Sequence, residues 1–184
     1  MEVYVMNYAS EDLIQEHEGI LYGLQILEKM VERYNRIKSI NVDEVNEIIN
    51  FFKLFADKCH HGKEEGLLFP EMEKAGIPKE NGPIGQMLYE HDEGRKYIKS
   101  MEEGLDKNLD FFVENALQYI NLLRNHIIKE NTILFPLGDR RIPADVQKHL
   151  LEAFEKHEEV VMGKGTHDEL HELLHRFGKK YIEE

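Results

Sequence analysis

The chain has no tryptophan, one cysteine and five prolines in 184 residues. A lone cysteine, Cys59, cannot close an internal disulfide. No apolar run approaches the roughly 18 residues that a membrane span requires. Residues 1–10 lack a basic start followed by an apolar core, so no signal peptide is expected. Both absences set the expectation of a cytoplasmic protein without a membrane partner. Basic residues are also scarce, 23 against 36 acidic ones, for a formal net charge of -13. That balance argues against binding nucleic acid or anionic lipid by general attraction. Strand-type alternation is scarce as well, which leaves little basis for a sheet.

Long segments with a 3.6-residue apolar rhythm are abundant. The first carries Leu13, Ile14, His17, Ile20, Leu21, Leu24, Leu27 and Val31, with Ser10 as its expected N-cap, and fades near Lys38. A second starts at Asn41 or Asp43 and carries Val45, Ile48, Ile49, Phe52, Phe55, Ala56 and His60, with Pro70 expected to kink or end it. Gly76, Pro78, Gly82 and Pro83 mark a loop. A third carries Ile84, Met87, Leu88, His91, Ile98, Met101 and Leu105. A fourth, with Asp110 as expected cap, carries Phe112, Ala116, Tyr119, Leu122, Leu123, His126, Glu130 and Ile133. Two shorter helices are expected at about 143–162 and 166–182. The expected fold is all-α: an antiparallel up-down four-helix bundle at about 10–141, with extra short C-terminal helices at about 142–184, in a single domain over 1–184.

An internal repeat carries the chemistry. Residues 60–70 and 126–136 both read His-x3-Glu-x4-Phe-Pro, and shorter echoes, Glu16-His17-Glu18 and Glu90-His91-Asp92, precede them. Residues four apart share a helix face, so each His-x3-Glu aims an imidazole and a carboxylate at one point. All four histidines fall on the apolar stripes of their helices, where a bare imidazole costs free energy unless it finds a partner. Four His and two Glu on four helices make a ligand set for two metal ions. Imidazole with carboxylate suits iron, manganese or zinc.

These residues, His-His-Gly-Lys-Glu-Glu-x-x-Leu-Phe-Pro at 60–70, Glu-His-Asp-Glu-Gly-Arg at 90–95 and His-x-x-Lys-Glu-Asn-x-x-Leu-Phe-Pro at 126–136, resemble the hemerythrin-like HHE cation-binding family from about Glu11 to Arg141. The resemblance implies two non-haem iron ions with an oxo or hydroxo bridge, for which zinc or manganese could substitute, held by His17, His60, Glu64, His91, His126 and Glu130. The two Glu would bridge, with His17 and His60 on one iron and His91 and His126 on the other, or the crossed pairing. Oxygen-carrying relatives use five His with a Glu and an Asp; four His and two Glu look more like the iron-sulfur repair proteins and the peroxide- or nitric-oxide-related members. Repair proteins usually add an N-terminal Cys pair, which this chain lacks. The implied function is reaction with O₂, peroxide or nitric oxide in oxidative or nitrosative stress defence, with a small gaseous or peroxide ligand. The alternatives are an O₂- or iron-binding, sensing or storage module without turnover, or iron-sulfur cluster repair. A homodimer is left open.

Several signals compete. His61-x3-Glu65 repeats the His60–Glu64 spacing, but only His60 and Glu64 keep the register with His126, Glu130 and Phe-Pro. His61 and Glu65 are expected as a solvated pair or as supports behind the ligands, and no fifth His is expected on a core stripe. His171-Glu172-Leu173-Leu174-His175 matches the zinc-protease pattern His-Glu-x-x-His, extended by His167. The plainer expectation is an amphipathic helix that packs Leu170, Leu173, Leu174 and Phe177 on the bundle. Cys59 reads as a small buried apolar residue. Arg95 is expected to pair with a carboxylate near the site or at the surface, and Tyr22, Tyr89, Tyr97 and Tyr119 are candidates for lying near the metals.

Overall fold

In the computed structural model, which describes residues 6–183, the chain forms six helical rods and, among the described residues, no strand. Helix α1 is Ala9–Ile37, α3 is Pro83–Lys107, α5 is Ala144–Met162 and α6 is Thr166–Tyr181. Helix α2 is a continuous rod over 42–74: α-helical at Val42–Phe51, π-helical at Phe52–His61 and Glu64–Leu68, and α-helical again at Phe69–Lys74. Helix α4, over 109–141, repeats this plan with Leu109–Lys129, a π turn at Glu130–Leu134 and Phe135–Arg141. Helices α1 to α4 form a four-helix bundle; α5 packs on α1 and α2, and α6 lies along α1.

Three local expectations need correction. Ser10 is not the cap of α1. The helix begins one residue earlier, Glu11 Oε2 accepts from the Asn7 and Tyr8 amides, and the Ser10 hydroxyl donates to Asp139 at 2.8 Å. Asp110 is not the cap of α4 either: Asn108 Oδ1 accepts from the amides of Asp110 and Phe111, as Asn41 Oδ1 does from Asp43 and Glu44 in α2. Asn satisfies free amides at a helix start, and the pattern of apolar residues does not distinguish it from an Asp two positions on. Nor does Pro70 end α2. Proline removes one backbone donor and crowds the carbonyl four residues back. In both long rods a π turn sits directly before the Phe-Pro pair, and this wider i→i+5 turn lets the helix continue.

The core falls into two apolar clusters. One, with Ile20, Leu24, Phe52, Ala56, Ile98, Leu123 and Ile127, fills the middle and the α1–α2 loop end. The other, with Leu13, Leu68, Phe69, Ile84, Met87, Leu134, Phe135 and Phe154, fills the opposite end. The histidine layer lies between them.

At the α3–α4 turn the backbones touch. A Cβ on Gly104 would lie 2.6 Å from the Phe112 amide nitrogen and 2.7 Å from its Cα. A backbone neighbour cannot move aside as a side chain does, so Gly104→Ala is expected to cost about 1–3 kcal/mol, read as a lower urea midpoint. The C-terminal helix contributes more broadly. Leu174 and Phe177 are buried, Leu170 and Leu173 are partly so, and Arg176 and Lys180 pair with Glu47 and Glu44 of α2. Truncation after Met162 removes two buried side chains worth about 1.5–3 kcal/mol each and bares the surface beneath them, so a loss of several kcal/mol in chemical denaturation is expected.

Candidate metal centre

Each of the four bundle helices carries a histidine into the layer between the two apolar clusters. His17, His60, His91 and His126 are each 1 % exposed, and Glu64 and Glu130 are 0 % exposed. His17 comes from α1, His60 and Glu64 from α2, His91 from α3, and His126 and Glu130 from α4. The donor atoms gather into two groups: His17, His60, Glu64 and Glu130 in one, and His61, Glu64, His91 and His126 in the other, each with all donors within 4.8 Å of one another. Glu64 belongs to both. Glu130 also reaches across, with Oε2 3.2 Å from His17 Nε2 and Oε1 3.1 Å from His126 Nε2.

Behind the donors, a second ring of polar groups fixes the orientation of the imidazoles. His60 Nδ1 donates to Glu16 at 2.8 Å and His126 Nδ1 to Glu90 at 2.9 Å. His91 Nδ1 donates to Glu65 at 2.7 Å and His17 Nδ1 to the Asn131 carbonyl oxygen at 2.8 Å. A carboxylate or amide oxygen only accepts, so the proton of each neutral ring sits on Nδ1 and the Nε2 lone pair faces the centre. This is the arrangement by which metal-ligating histidines are oriented and made more basic. The partners are themselves held. Buried Lys63 donates to Glu16 at 2.8 Å and Asp12 at 2.9 Å; Lys129 and Gln86 both bond Glu90; Arg95 bonds Glu65 at 2.5 Å and Asp57 at 2.8 Å.

The network follows the internal repeat. In each half, the Glu of the Glu-His echo serves the His of the following helix, and the Lys three residues after that His holds the Glu. Lys63–Glu16–His60 therefore matches Lys129–Glu90–His126. The residue after each ligand-type Glu serves the histidine of the other half: Glu65 serves His91, and Asn131 serves His17. Even the Phe of each Phe-Pro does so. Phe135 stacks on His17 at 5.7 Å and Phe69 on His91 at 6.0 Å between ring centroids.

The electrostatics ask for a cation. His91 Nε2 and His126 Nε2 are 3.1 Å apart, and two lone pairs at that distance repel unless a proton or a metal lies between them. Burial opposes the charged form of His126, but Glu130 and Glu90 overcome it and push this imidazole up to about 9. Burial, followed by the neighbouring imidazoles, drives His60 and His61 well below the ordinary histidine range, so they stay neutral with lone pairs available. Burial raises Glu64 well above the usual carboxylate range, helped by nearby Glu130; Glu130, although buried, is held low by His126 and His17. Even so, the Nε2 atoms of His17 and His60 and both oxygens of Glu64 and Glu130 make no hydrogen bond. Each such buried orphan costs about 1–3 kcal/mol. Six of them converging on one layer, with imidazole and carboxylate chemistry, fit cations of the iron, manganese or zinc type.

The six residues expected as ligands thus all meet in this layer. His61 is the residue that sequence reasoning misplaced. It is 4 % exposed, not solvated, and stacks on His91 with centroids 3.8 Å apart and planes 12° apart. The expectation that no fifth His reaches the core is therefore corrected. The inward position runs from Phe52 to Ala56 by four residues. Within the π turn Phe52–His61 it then advances by four or five, which brings both His60 and His61 inward. Its counterpart in the repeat is buried Ile127, so the fifth imidazole breaks the symmetry. The doubled His-His, Glu-Glu spacing was the available signal. Glu65 supports His91, as one of its two expected roles had it, and Arg95 does pair with carboxylates near the site.

Of the tyrosines, Tyr119 lies beside His61 and His91, whereas Tyr89 is 59 % exposed. His167, His171 and His175 are exposed and join no group of three or more ligating side chains among the described residues. Cys59 is fully buried, and burial pushes its thiol up to about 12. Labelling by a thiol reagent at pH 8 is expected only after unfolding; fast labelling of the native chain would show that this layer opens.

An antiparallel bundle whose central layer gathers histidines and shared glutamates defines a cation-binding helical module. The profile of the hemerythrin HHE cation binding domain matches residues 9–138, and the chain belongs to that family. It is also similar to proteins described as uncharacterized from Mycobacterium bovis and Mycobacterium tuberculosis, at 24 % identity over 157 residues, which cover 82 % of this chain and 61 % of each relative. The chain thus spans about three fifths of the length of the curated relatives it matches. No solved structure gives a significant match. No helix among the described residues is long and apolar enough to cross a membrane.

Proposed function

We propose that the chain holds two non-haem iron ions and reacts with peroxide or nitric oxide, in a protective role against oxidative or nitrosative stress. The observation that supports this best is the pair of donor groups sharing Glu64, in which the Nε2 atoms of His17 and His60 and both oxygens of Glu64 and Glu130 have no hydrogen bond to occupy them. His17 and His60 would serve one ion, His61, His91 and His126 the other, and Glu64 and Glu130 would span both. Bound iron supplies the electrons and the open position that such a ligand needs. The protein keeps His60 and His61 neutral by burial, orients the imidazoles of His60, His91, His126 and His17 through Glu16, Glu65, Glu90 and Asn131, and excludes bulk water with Phe69 and Phe135.

A second reading, reversible O₂ binding or sensing, gains from His61. Five imidazoles match the number found in the oxygen-carrying relatives that the sequence resembles, although Glu130 still stands where those carry an Asp. Elemental analysis after growth in iron-supplemented medium is expected to find about two ions per chain, and the metal-free protein is expected to melt lower. One tight ion per chain would reject the two-ion reading. Rapid mixing of the diferrous protein with O₂ separates the chemistries. Irreversible oxidation supports peroxide or nitric oxide turnover; an absorption band that vanishes under argon and returns with O₂ supports a carrier or sensor.

Replacing a group that orients a ligand is expected to weaken metal binding by about 10–100-fold without unfolding the chain. Glu16→Gln and Glu90→Gln test this by competition with a chelator. Equal affinity in both variants and the parent would show that the outer ring does not act on the metal.

A further inference from the structure

A pair of metal-binding side chains outside the central layer lies on α6, beyond the residues 9–138 that the family profile covers. His167 and His171 are four residues apart, so one helical face carries both, and both are exposed. Their ring centroids are 4.5 Å apart, with the planes tilted by 59°. In the central layer, His17 and His60 stand at 4.6 Å and 53°, and His91 and His126 at 4.8 Å and 64°. The exposed pair therefore has the ring separation and tilt of the two buried pairs. Coordination asks for the same separation. Two imidazoles bonded to one cation at about 2.0–2.1 Å hold their ring centres about 4.5–5.3 Å apart, for angles from a right angle to tetrahedral.

The surroundings leave these rings available. Neither makes a hydrogen bond or a salt bridge among the described residues, and Phe55 approaches His167 at 6.4 Å from the bundle side. Asp168, Glu169 and Glu172 are exposed beside them, on a chain of net charge -13 that draws cations. The start of α6 also lacks other support. It follows Gly163 and Gly165, at φ +71° and +93°, and Gly165 supplies no side-chain cap. A bond between residues four apart would fix this turn. The pairing is not that of the His-Glu-x-x-His spelling, which joins His171 to His175. His175 makes no ring contact with His171 among the described residues, so Glu172 does not lie between paired imidazoles as a base would.

We propose that His167 and His171 form a peripheral site for one divalent, imidazole-preferring cation of the zinc class, which clamps the first turns of α6 together. Water completes the coordination, and the site binds without hydrolysing.

The test counts iron and zinc separately, by elemental analysis after equilibrium dialysis of the iron-loaded full chain against zinc. The parent is expected to hold about one zinc ion per chain more than the double variant His167→Gln, His171→Gln, with equal iron in both. Both side chains are exposed, so the double variant is expected to keep the parent's urea midpoint in zinc-free buffer. His175→Gln is expected to hold as much zinc as the parent. Hydrogen exchange reads the position: zinc is expected to slow exchange of the amides of 169–172 in the parent and not in the double variant. Equal zinc in parent and double variant overturns the proposal and makes the ion adventitious. Zinc lost equally from His175→Gln also overturns it, in favour of the His171–His175 pairing. Because iron is counted apart from zinc, failure of the central layer to fill would show as missing iron and leave the zinc difference readable.

Discussion

Glu64→Ala is expected to reduce bound metal from about two ions per chain to none, whereas His17→Ala is expected to leave one site able to bind. Glu64 belongs to both donor groups, its oxygens lying 3.7 Å from His60 Nε2 and 3.3 Å from His91 Nε2. His17 belongs to one group. Elemental analysis of the two variants beside the parent reads the difference directly. Equal residual metal in both would mean that the groups do not share a carboxylate. His61→Ala is a sharper variant of the same measurement. Repeat register alone would leave its metal content intact; its burial against His91 predicts weakened binding on the three-histidine side. Because Glu64 is a buried carboxylate held above its usual range, removing it also relieves a burial cost, so the metal-free Glu64→Ala protein is expected to be no less stable than the metal-free parent.

The second large effect is structural. Lys63 is 0 % exposed, yet its ammonium makes contacts with Asp12, Glu16 and, at 3.4 Å, Glu158 of α5. Burial disfavours its charge, but Glu16 and Asp12 more than compensate and raise its pKa. Lys63→Met keeps the volume and leaves the two α1 carboxylates beside an apolar chain. Breaking a buried ion pair from one side typically costs about 3–5 kcal/mol, and a loss of that size is expected in urea denaturation. The sign with pH follows from Glu16 and Asp12, whose carboxyl groups burial already raises above their ordinary values. In the variant nothing offsets that burial, so its deficit is expected to shrink as the pH falls through the range where both carboxyls protonate. A deficit constant with pH would show that the loss is one of packing. Glu16 also orients His60, so the same variant is expected to bind metal more weakly; Lys63→Arg, which restores charge without the point geometry, would recover part of the stability.

Much of this centre was legible in the chain. The His-x3-Glu repeat, the apolar stripes that carry His17, His91 and His126, and the helix count all follow from side-chain periodicity, which is local. The Lys-Glu-Glu and Lys-Glu-Asn triplets were equally visible, but their roles were not. Glu16 and Glu90 lie next to His17 and His91 in sequence, and adjacent helical residues point in different directions, so each serves a histidine on another helix. Caps were misassigned at Ser10 and Asp110 for a related reason. A polar residue near a helix start has several competing partners, and Asp139 takes the one at Ser10.

His61 marks the limit most sharply. An ideal α-helix turns it away from the layer, and the apolar pattern of α2 follows that geometry. The π segment Phe52–His61 brings it inward, and a separate π turn, Glu64–Leu68, accommodates Pro70; where each wider turn falls is a matter of packing against the facing helices. The sequence by itself determined the donor chemistry, four buried histidines with two carboxylates, and the all-α fold that presents them. Only the tertiary structure decided which imidazole meets which carboxylate and that a fifth imidazole joins. Those outcomes depend on side-chain pairs separated by 26 residues for Glu65 and His91 and by 114 for His17 and Asn131, and local periodicity sets no distance between helices.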